Sequence, residues 1–151
     1  MKRQKQFGFT LIEMLIAVAI VGIIMAVAYP SYVDTVRKTN RSEAQAELMD
    51  FAQRLQRCYT AYASFIESPN NSCTVYNDLI TGHDVESRGG GYYRIQFVGD
   101  PTDVAYTLVA IAIKDPQLDD KMGDDEDCTE MTLSSVGVKA PDYCWNKKLQ
   151  Q

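Results

Sequence analysis

The N-terminal part of the chain changes abruptly from polar to apolar. The first eight residues, MKRQKQFG, are basic and polar, and the next twenty contain one charged residue, Glu13. This apolar run, Phe9 to Ala28, has about the length that crosses the hydrocarbon core of a membrane as a helix. A secretory signal has a shorter apolar region that ends in a small-residue cleavage site, whereas this run ends at Ala28, Tyr29 and Pro30 and continues into a polar helix. The pattern therefore predicts a membrane anchor, with any cleavage before the apolar run.

Beyond Pro30 the apolar positions recur every three or four residues or at sums of these spacings, as on one face of an amphipathic helix. They are Val33, Val36, Ala44, Leu48, Phe51, Leu55, Cys58 and Tyr62. The pattern predicts one helix from about Thr10 to Ala63, bent or locally melted at Pro30 because proline lacks a backbone N–H. At 1.5 Å per residue such a helix is about 80 Å long, which exceeds any small core. Its N-terminal half must therefore pack against lipid or other subunits.

The C-terminal half of the chain combines turn-forming residues with short strand patterns. Strands are predicted at residues 92–98 and 106–113, joined by a turn at residues 99–103. One face of the first strand holds Tyr93, Ile95 and Phe97, and the matching face of the second is predicted to hold Thr107, Val109, Ile111 and Ile113.

A third strand is predicted at residues 129–134, with Met131 and Leu133 pointing inward. A turn at residues 135–137 then leads to a short extended segment at Val138 and Lys139. The expected fold is α+β, with a long N-terminal α-helix packed on a three- to four-stranded antiparallel sheet.

Length and charge limit the possible functions. A chain of 151 residues holds one domain with its own core. The formal net charge is −5, and without the first eight residues it is 12 basic against 20 acidic residues, or −8. An acidic head argues against a general phosphate-binding surface, so no nucleic-acid partner is expected. One alternative stays open, a local basic stripe formed by Arg88, Arg94, Lys114, Lys139, Lys147 and Lys148.

The four cysteines form an even set without a C-x-x-C pair, which favours disulfides over a zinc site. Three pairings are possible. We favour Cys58 with Cys73 and Cys128 with Cys144, because these pairs would tie the helix end to the next loop and close the C-terminal segment.

Nothing in the sequence predicts catalysis or a cofactor. His83 has no convincing partners for acid–base or nucleophilic chemistry. The acidic segment, residues 115–127, does not have the spacing of an EF-hand calcium loop, so we interpret it as a solvated surface loop. Gly89 to Gly91 precede a strand and not a helix, which indicates a flexible connection and not a phosphate cradle.

The most specific motif is Gly8-Phe9-Thr10-Leu11-Ile12-Glu13, which resembles the type III signal at the start of type IV pilins and pseudopilins. The resemblance implies cleavage after Gly8 by prepilin peptidase, N-methylation of Phe9 and a role of Glu13 in assembly. Gly22 and Pro30 also match positions where family members carry a glycine and a helix-bending proline. The implied segments are a leader (residues 1–8), a transmembrane and assembly helix (residues 9–30) and a head (residues 31–151).

The C-terminal segment, residues 127–145, resembles the disulfide-bounded region of PilE-type minor pilins. This resemblance implies the α+β type IV pilin fold with a disulfide-closed C-terminal region. It also implies a non-enzymatic minor pilin that lies in the bacterial inner membrane with its head in the periplasm, and then in an extracellular pilus. The implied partners are major and minor pilins, prepilin peptidase, the inner-membrane assembly platform and the membrane itself. Three rivals stay open: a major pilin, a type II secretion pseudopilin and a DNA-uptake receptor pilin of the ComP kind.

Overall fold

The computed structural model describes residues 9–68, 73–80, 85–122 and 126–145. The chain divides between Thr35 and Val36 into two compact units, which we call the anchor segment (residues 9–35) and the head (residues 36–145). Helix α1, Leu11–Tyr62, agrees with the predicted limits to within one residue at each end. Of the two predicted effects of Pro30, local melting of the helix was wrong, because α1 continues through this residue. A proline removes a single N–H donor, and the helix on both sides of Pro30 is long.

In its described residues, the head adds two short helices and seven strands to the C-terminal part of α1. The helices are α2 (Thr74–Ile80) and α3 (Asp142–Trp145). The strands are β1 (Val85–Glu86), β2 (Tyr93–Phe97), β3 (Thr107–Ala112), β4 (Lys121–Met122), β5 (Glu126–Asp127), β6 (Glu130–Ser134) and β7 (Lys139–Ala140). A 3-10 turn, Gln117–Asp119, lies between β3 and β4.

The main sheet has five antiparallel strands in the order β1-β2-β3-β6-β7, and β4 pairs with β5 in a separate hairpin. The predicted α+β fold is confirmed, with one strand more than the three to four expected. The additional strand is β1, which has two residues and is therefore too short to show an alternating pattern.

The inward face of β3 differs from the prediction. Val109 is buried, but Thr107 and Ile111 are only partly buried and belong to the face opposite the core. The residues in register with the inward residues of β2 are instead Leu108, Ala110 and Ala112. Shifting the inward set by one residue exchanges the two faces of a strand. The prediction failed because both faces of this central strand are largely apolar, so alternation did not distinguish them.

The core lies between the sheet and one face of α1. From β6 it includes Met131 and Leu133, which point inward as predicted. From α1 it includes Ala44, Leu48, Phe51 and Leu55. Large and small side chains alternate across the strands, since Ala110 is in register with Ile95 on one side and Met131 on the other. Such alternation allows close packing without voids.

Candidate functional site

The anchor segment presents an unbroken apolar surface. Every residue from Phe9 to Tyr32 is exposed, and this part of α1 is long and apolar enough to cross a membrane by length and composition. Within residues 9–32, Glu13 is the only charged residue. Exposure of so many large apolar side chains is unfavourable in water, so this surface requires lipid or other protein around it.

Glu13 and Thr10 form a capping box at the start of α1. The Glu13 Oε2 atom accepts hydrogen bonds from the Thr10 backbone N–H at 2.9 Å and from the Thr10 hydroxyl at 2.8 Å. The Thr10 hydroxyl oxygen in turn accepts from the Glu13 backbone N–H at 3.3 Å. These bonds satisfy N–H groups that have no partner within the helix. We did not predict this pairing, although the T-x-x-E spacing before an apolar run is its sequence signature.

The resemblance also singles out Gly8, Phe9 and Gly22 in the N-terminal part of the chain. Gly8 and the leader lie outside the described residues. Phe9 is the first described residue and is exposed. A Cβ atom added at Gly22 would meet no atom within 4 Å, so no neighbouring side chain of this chain requires glycine there.

A buried polar network joins α1 to the acidic segment in the head. Arg41 and Asp120 form an ion pair with two contacts, the longer being Arg41 Nε to Asp120 Oδ2 at 2.9 Å. The Tyr93 hydroxyl lies 3.0 Å from Asp120 Oδ2, and the Gln117 amide donates to that hydroxyl at 3.0 Å. Asn40 donates to Gln117 Oε1 at 3.2 Å. Since all five side chains are buried, each polar group depends on the others in place of water.

This network corrects the interpretation of the acidic segment as wholly solvated. The Asp120 side chain is 0% exposed, whereas the side chain of its neighbour Asp119 is 72% exposed. Burial, together with the nearby Asp120 carboxylate, raises the pKa of the Tyr93 hydroxyl above its ordinary value. Tyr93 therefore keeps its proton over the whole physiological range. Asp124 and Asp125 lie outside the described residues.

The loop between β1 and β2 is bound to α1 and is not simply a flexible connection. Arg88 lies 3.4 Å from Glu47 and 3.3 Å from Asp50. A Cβ atom on Gly89 would lie 1.8 Å from Glu43 Oε2, so a side chain at this position would have to displace the Glu43 carboxylate. Burial raises the pKa of Glu47, and the positive charge of Arg88 opposes that shift.

The basic stripe that was left open as an alternative does not form a set of free cations in the described head. Arg88 is paired with Glu47 and Asp50, and Lys114 lies 3.2 Å from Glu86. Lys139 stacks over the ring of Trp145, with its Nζ atom 4.8 Å from the ring centroid. The last two members, Lys147 and Lys148, lie outside the described residues.

The cysteines are joined as two pairs of neighbours along the chain, Cys58 with Cys73 and Cys128 with Cys144. The first disulfide ties the end of α1 to the start of α2, and the second ties the segment before β6 to α3. Within the described residues, no group of three or more metal-binding side chains is present. His83 lies outside the described residues.

The anchor segment and head together define a class, that of membrane-anchored subunits with a long N-terminal helix and a disulfide-closed α+β head. A family model described as "Type IV minor pilin ComP, DNA uptake sequence receptor" matches residues 30–132. A second model, "Prokaryotic N-terminal methylation motif", matches residues 3–29. The chain belongs to the type IV pilin family. Its apolar helix and N-terminal motif fit membrane anchoring followed by location in an extracellular pilus.

Individual relatives support the same family. The chain is 34% identical to a fimbrial protein of Pseudomonas aeruginosa over 110 residues, 73% of this chain and 69% of the relative. It is 52% identical to the fimbrial protein EcpC of Eikenella corrodens over 44 residues, 29% of each chain. It is 31% identical to the type IV major pilin protein PilA of Myxococcus xanthus over 97 residues, 64% of this chain. The chain thus spans 29% of the length of EcpC and 40% of that of PilA.

Proposed function

We propose that this chain is a minor pilin, a non-enzymatic subunit that takes part in assembly of a type IV pilus. The observation that carries the proposal is the exposed apolar surface from Phe9 to Tyr32, which begins at the methylation motif. In the inner membrane this surface is solvated by lipid. When the subunit leaves the membrane, the same surface must be buried against the helices of neighbouring pilins. Function then consists of helix packing and display of the head.

The proposed maturation follows from the position of the motif. Prepilin peptidase cleaves after Gly8, which removes residues 1–8, and the new N-terminus at Phe9 is methylated. Residues 9–30 anchor the subunit, with Glu13, Gly22 and Pro30 serving assembly, and residues 31–151 form the displayed part. The partners are other major and minor pilins, the peptidase and the inner-membrane assembly platform, and neither a cofactor nor a metal is needed.

Gly8→Val is expected to block maturation, because a peptidase that binds the backbone at this residue closely leaves no room for a branched side chain. Mass spectrometry of the membrane-extracted protein should show the leader retained in nearly all molecules. Gly22→Val is the matched control, since it makes the same change in the apolar run, and this variant should start at N-methylated Phe9. A normal N-terminus in the Gly8→Val protein would refute the processing proposal.

A DNA-uptake receptor is the second candidate, because the description of the matching family model names that function. Two observations favour the minor pilin without DNA binding. The chain without its first eight residues carries −8, and several cations of the basic stripe are engaged within the head by carboxylates or by Trp145. A major pilin and a secretion pseudopilin remain alternatives. High abundance of this chain in purified filaments would identify a major pilin, and dependence of its function on a type II secretion system would identify a pseudopilin.

We expect no sequence-selective DNA binding by the mature, detergent-solubilised chain. Phosphate contacts by lysine and arginine dominate DNA affinity, and their number sets its salt dependence. The measurement is a gel shift with double-stranded DNA at two salt concentrations, with competitor DNA of scrambled sequence. Retention that is both sequence-selective and salt-sensitive would contradict this expectation and favour the receptor.

A further inference from the structure

Two tyrosines lie at the C-terminal end of the apolar run in the anchor segment. Tyr29 directly follows Ala28, and Tyr32 comes three residues later. Both side chains are 69% exposed, and both belong to α1, where residues three apart lie on the same side of the helix. The run from Phe9 to Ala28 contains neither tyrosine nor tryptophan. The tyrosine pair therefore marks one end of the apolar surface.

Charged residues alone do not define this end of the apolar surface. After Glu13 the next charged residue is Asp34, so five uncharged residues separate Ala28 from Asp34. The stretch from Phe9 to Val33 is about 37 Å long as a helix, which exceeds the hydrocarbon core of about 30 Å. A helix with too long an uncharged stretch can slide along the membrane normal or tilt. Groups other than charges must therefore fix its depth.

Tyrosine has the chemistry for this task, because its ring is apolar and its hydroxyl forms hydrogen bonds. Tyrosine and tryptophan are enriched at both surfaces of membranes, where their rings lie at the level of the lipid headgroups. With Tyr29 at one surface, Phe9 is twenty residues or about 30 Å away, at the opposite surface. Glu13 then lies about 6 Å inside that opposite surface and not at the costly centre of the bilayer.

We propose that Tyr29 and Tyr32 bind the lipid headgroup region on the periplasmic side of the membrane and so fix the depth of the anchor segment. Their hydroxyls donate to phosphate and ester oxygens of the lipids. The contact holds the bond between Gly8 and Phe9 at the cytoplasmic surface, within reach of a peptidase. This second step rests on the proposed function, because it concerns the proposed cleavage. The two tyrosines are thus positioning residues for a bond on the other side of the membrane.

A neighbouring membrane helix is the competing occupant of this surface. Helices that pack together in membranes commonly meet at small residues, which let the two backbones approach closely. Tyr29 and Tyr32 are large, and they lie where the apolar run ends and not within it. Their size and their place along the run therefore favour the lipid headgroups.

Quenching of tryptophan fluorescence by brominated lipids tests the contact. Trp145 is the sole tryptophan, so the full-length chain with Trp145→Phe gives a background without tryptophan. Tyr29→Trp or Tyr32→Trp in that background is reconstituted in vesicles of phosphatidylcholine and phosphatidylglycerol. Bromine near the headgroup should quench either tryptophan roughly twofold more strongly than bromine near the bilayer centre. Val18→Trp is the control in the middle of the run and should show the reverse order. The order of Val18→Trp in both tyrosine variants would overturn the contact.

Cleavage of a shortened anchor tests the positioning step. Deletion of residues 23–26 removes about one helical turn, or 6 Å, from the apolar run. If the tyrosines stay at the periplasmic surface, the bond between Gly8 and Phe9 moves into the hydrocarbon, and the cleaved fraction should fall roughly tenfold. Adding Tyr29→Leu with Tyr32→Leu extends the apolar run to Val33, so the helix can slide and cleavage should recover. Tyr29→Trp with Tyr32→Trp is the matched control, and it should not restore cleavage, because tryptophan also prefers the membrane surface.

Mass spectrometry of the N-terminus of the membrane-extracted protein gives the cleaved fraction of each variant. Normal cleavage of the deletion variant would overturn the positioning step, and so would a leucine pair that restores no cleavage or a tryptophan pair that does. Absence of cleavage after Gly8 in the wild-type chain would instead refute the proposed processing. The quenching measurement would then still decide whether the tyrosines bind the lipid headgroup region.

Discussion

Asp120→Ala should lower the free energy of unfolding of the head by about 3–5 kcal/mol, the usual cost when one partner of a buried ion pair is removed. The variant leaves the Arg41 guanidinium buried without its counter-charge. It also removes the acceptor that faces the Tyr93 hydroxyl and the Gln117 amide. The measurement is urea unfolding of a soluble fragment, residues 36–151, followed by far-UV circular dichroism with both disulfides intact.

The matched control is Asp119→Ala, which removes the neighbouring carboxylate. Asp119 is mostly exposed and lies 3.5 Å from Arg37, so its loss should cost at most about 1 kcal/mol. A second control replaces the pair, Arg41→Met with Asp120→Leu, and should be less harmful than Asp120→Ala because no unpaired charge remains. Equal and small effects of Asp119→Ala and Asp120→Ala would show that the buried pair does not hold the acidic segment on α1.

The parts of the fold that follow from periodicity were predictable. The limits of α1 came from a long repeat of apolar positions, and Met131 and Leu133 of β6 from strict alternation. The inward face of β3 was not predictable, because Val109 and Ile111 are as apolar as Leu108 and Ala110. The two-residue strand β1 and the short helices α2 and α3 contain too few positions for any repeat to appear.

The buried network shows a different limit of sequence reasoning. Asp120 lies in a run of acidic residues, which a sequence presents as equivalent. Only the fold brings Arg41, nearly eighty positions away, to within hydrogen-bonding distance of Asp120 and not of its neighbours. The charge pattern of an isolated chain therefore predicts net surface charge better than it predicts which single carboxylate is buried.

Glu13→Val should leave membrane insertion and cleavage intact and reduce incorporation into pili by roughly tenfold or more. A carboxylate among apolar helices is tolerable only with a partner, and the anchor segment contains no lysine or arginine. The proposed cleavage after Gly8 would supply one, the α-amino group of Phe9. Within one subunit this amine would precede Glu13 by four residues, and in a filament it could meet the Glu13 of an adjacent subunit. Only the second pairing couples the charge to assembly.

The capping box offers a competing explanation, because Glu13 also bonds to Thr10 within its own chain. Loss of a helix cap costs about 0.5–2 kcal/mol, so it too would weaken the start of α1. Glu13→Gln separates the two explanations. Its amide oxygen can still accept from Thr10, but it carries no charge. If the carboxylate pairs with an amine across subunits, Glu13→Gln should be as defective as Glu13→Val or Glu13→Ala, and Glu13→Asp should be intermediate.

The measurement is an immunoblot of sheared pili and of membranes from the same cells, with the ratio of the two as the readout. Thr10→Val is the matched control, since it removes the capping hydroxyl and keeps the carboxylate, and its ratio should stay close to that of the wild type. Equal membrane levels and a normal N-terminus must accompany each variant, so that a low ratio reports assembly and not synthesis or cleavage. Wild-type incorporation of Glu13→Val would show that the carboxylate has no part in docking. A Glu13→Gln protein that assembles normally while Glu13→Val does not would assign the role of Glu13 to capping of α1 instead of charge pairing between subunits.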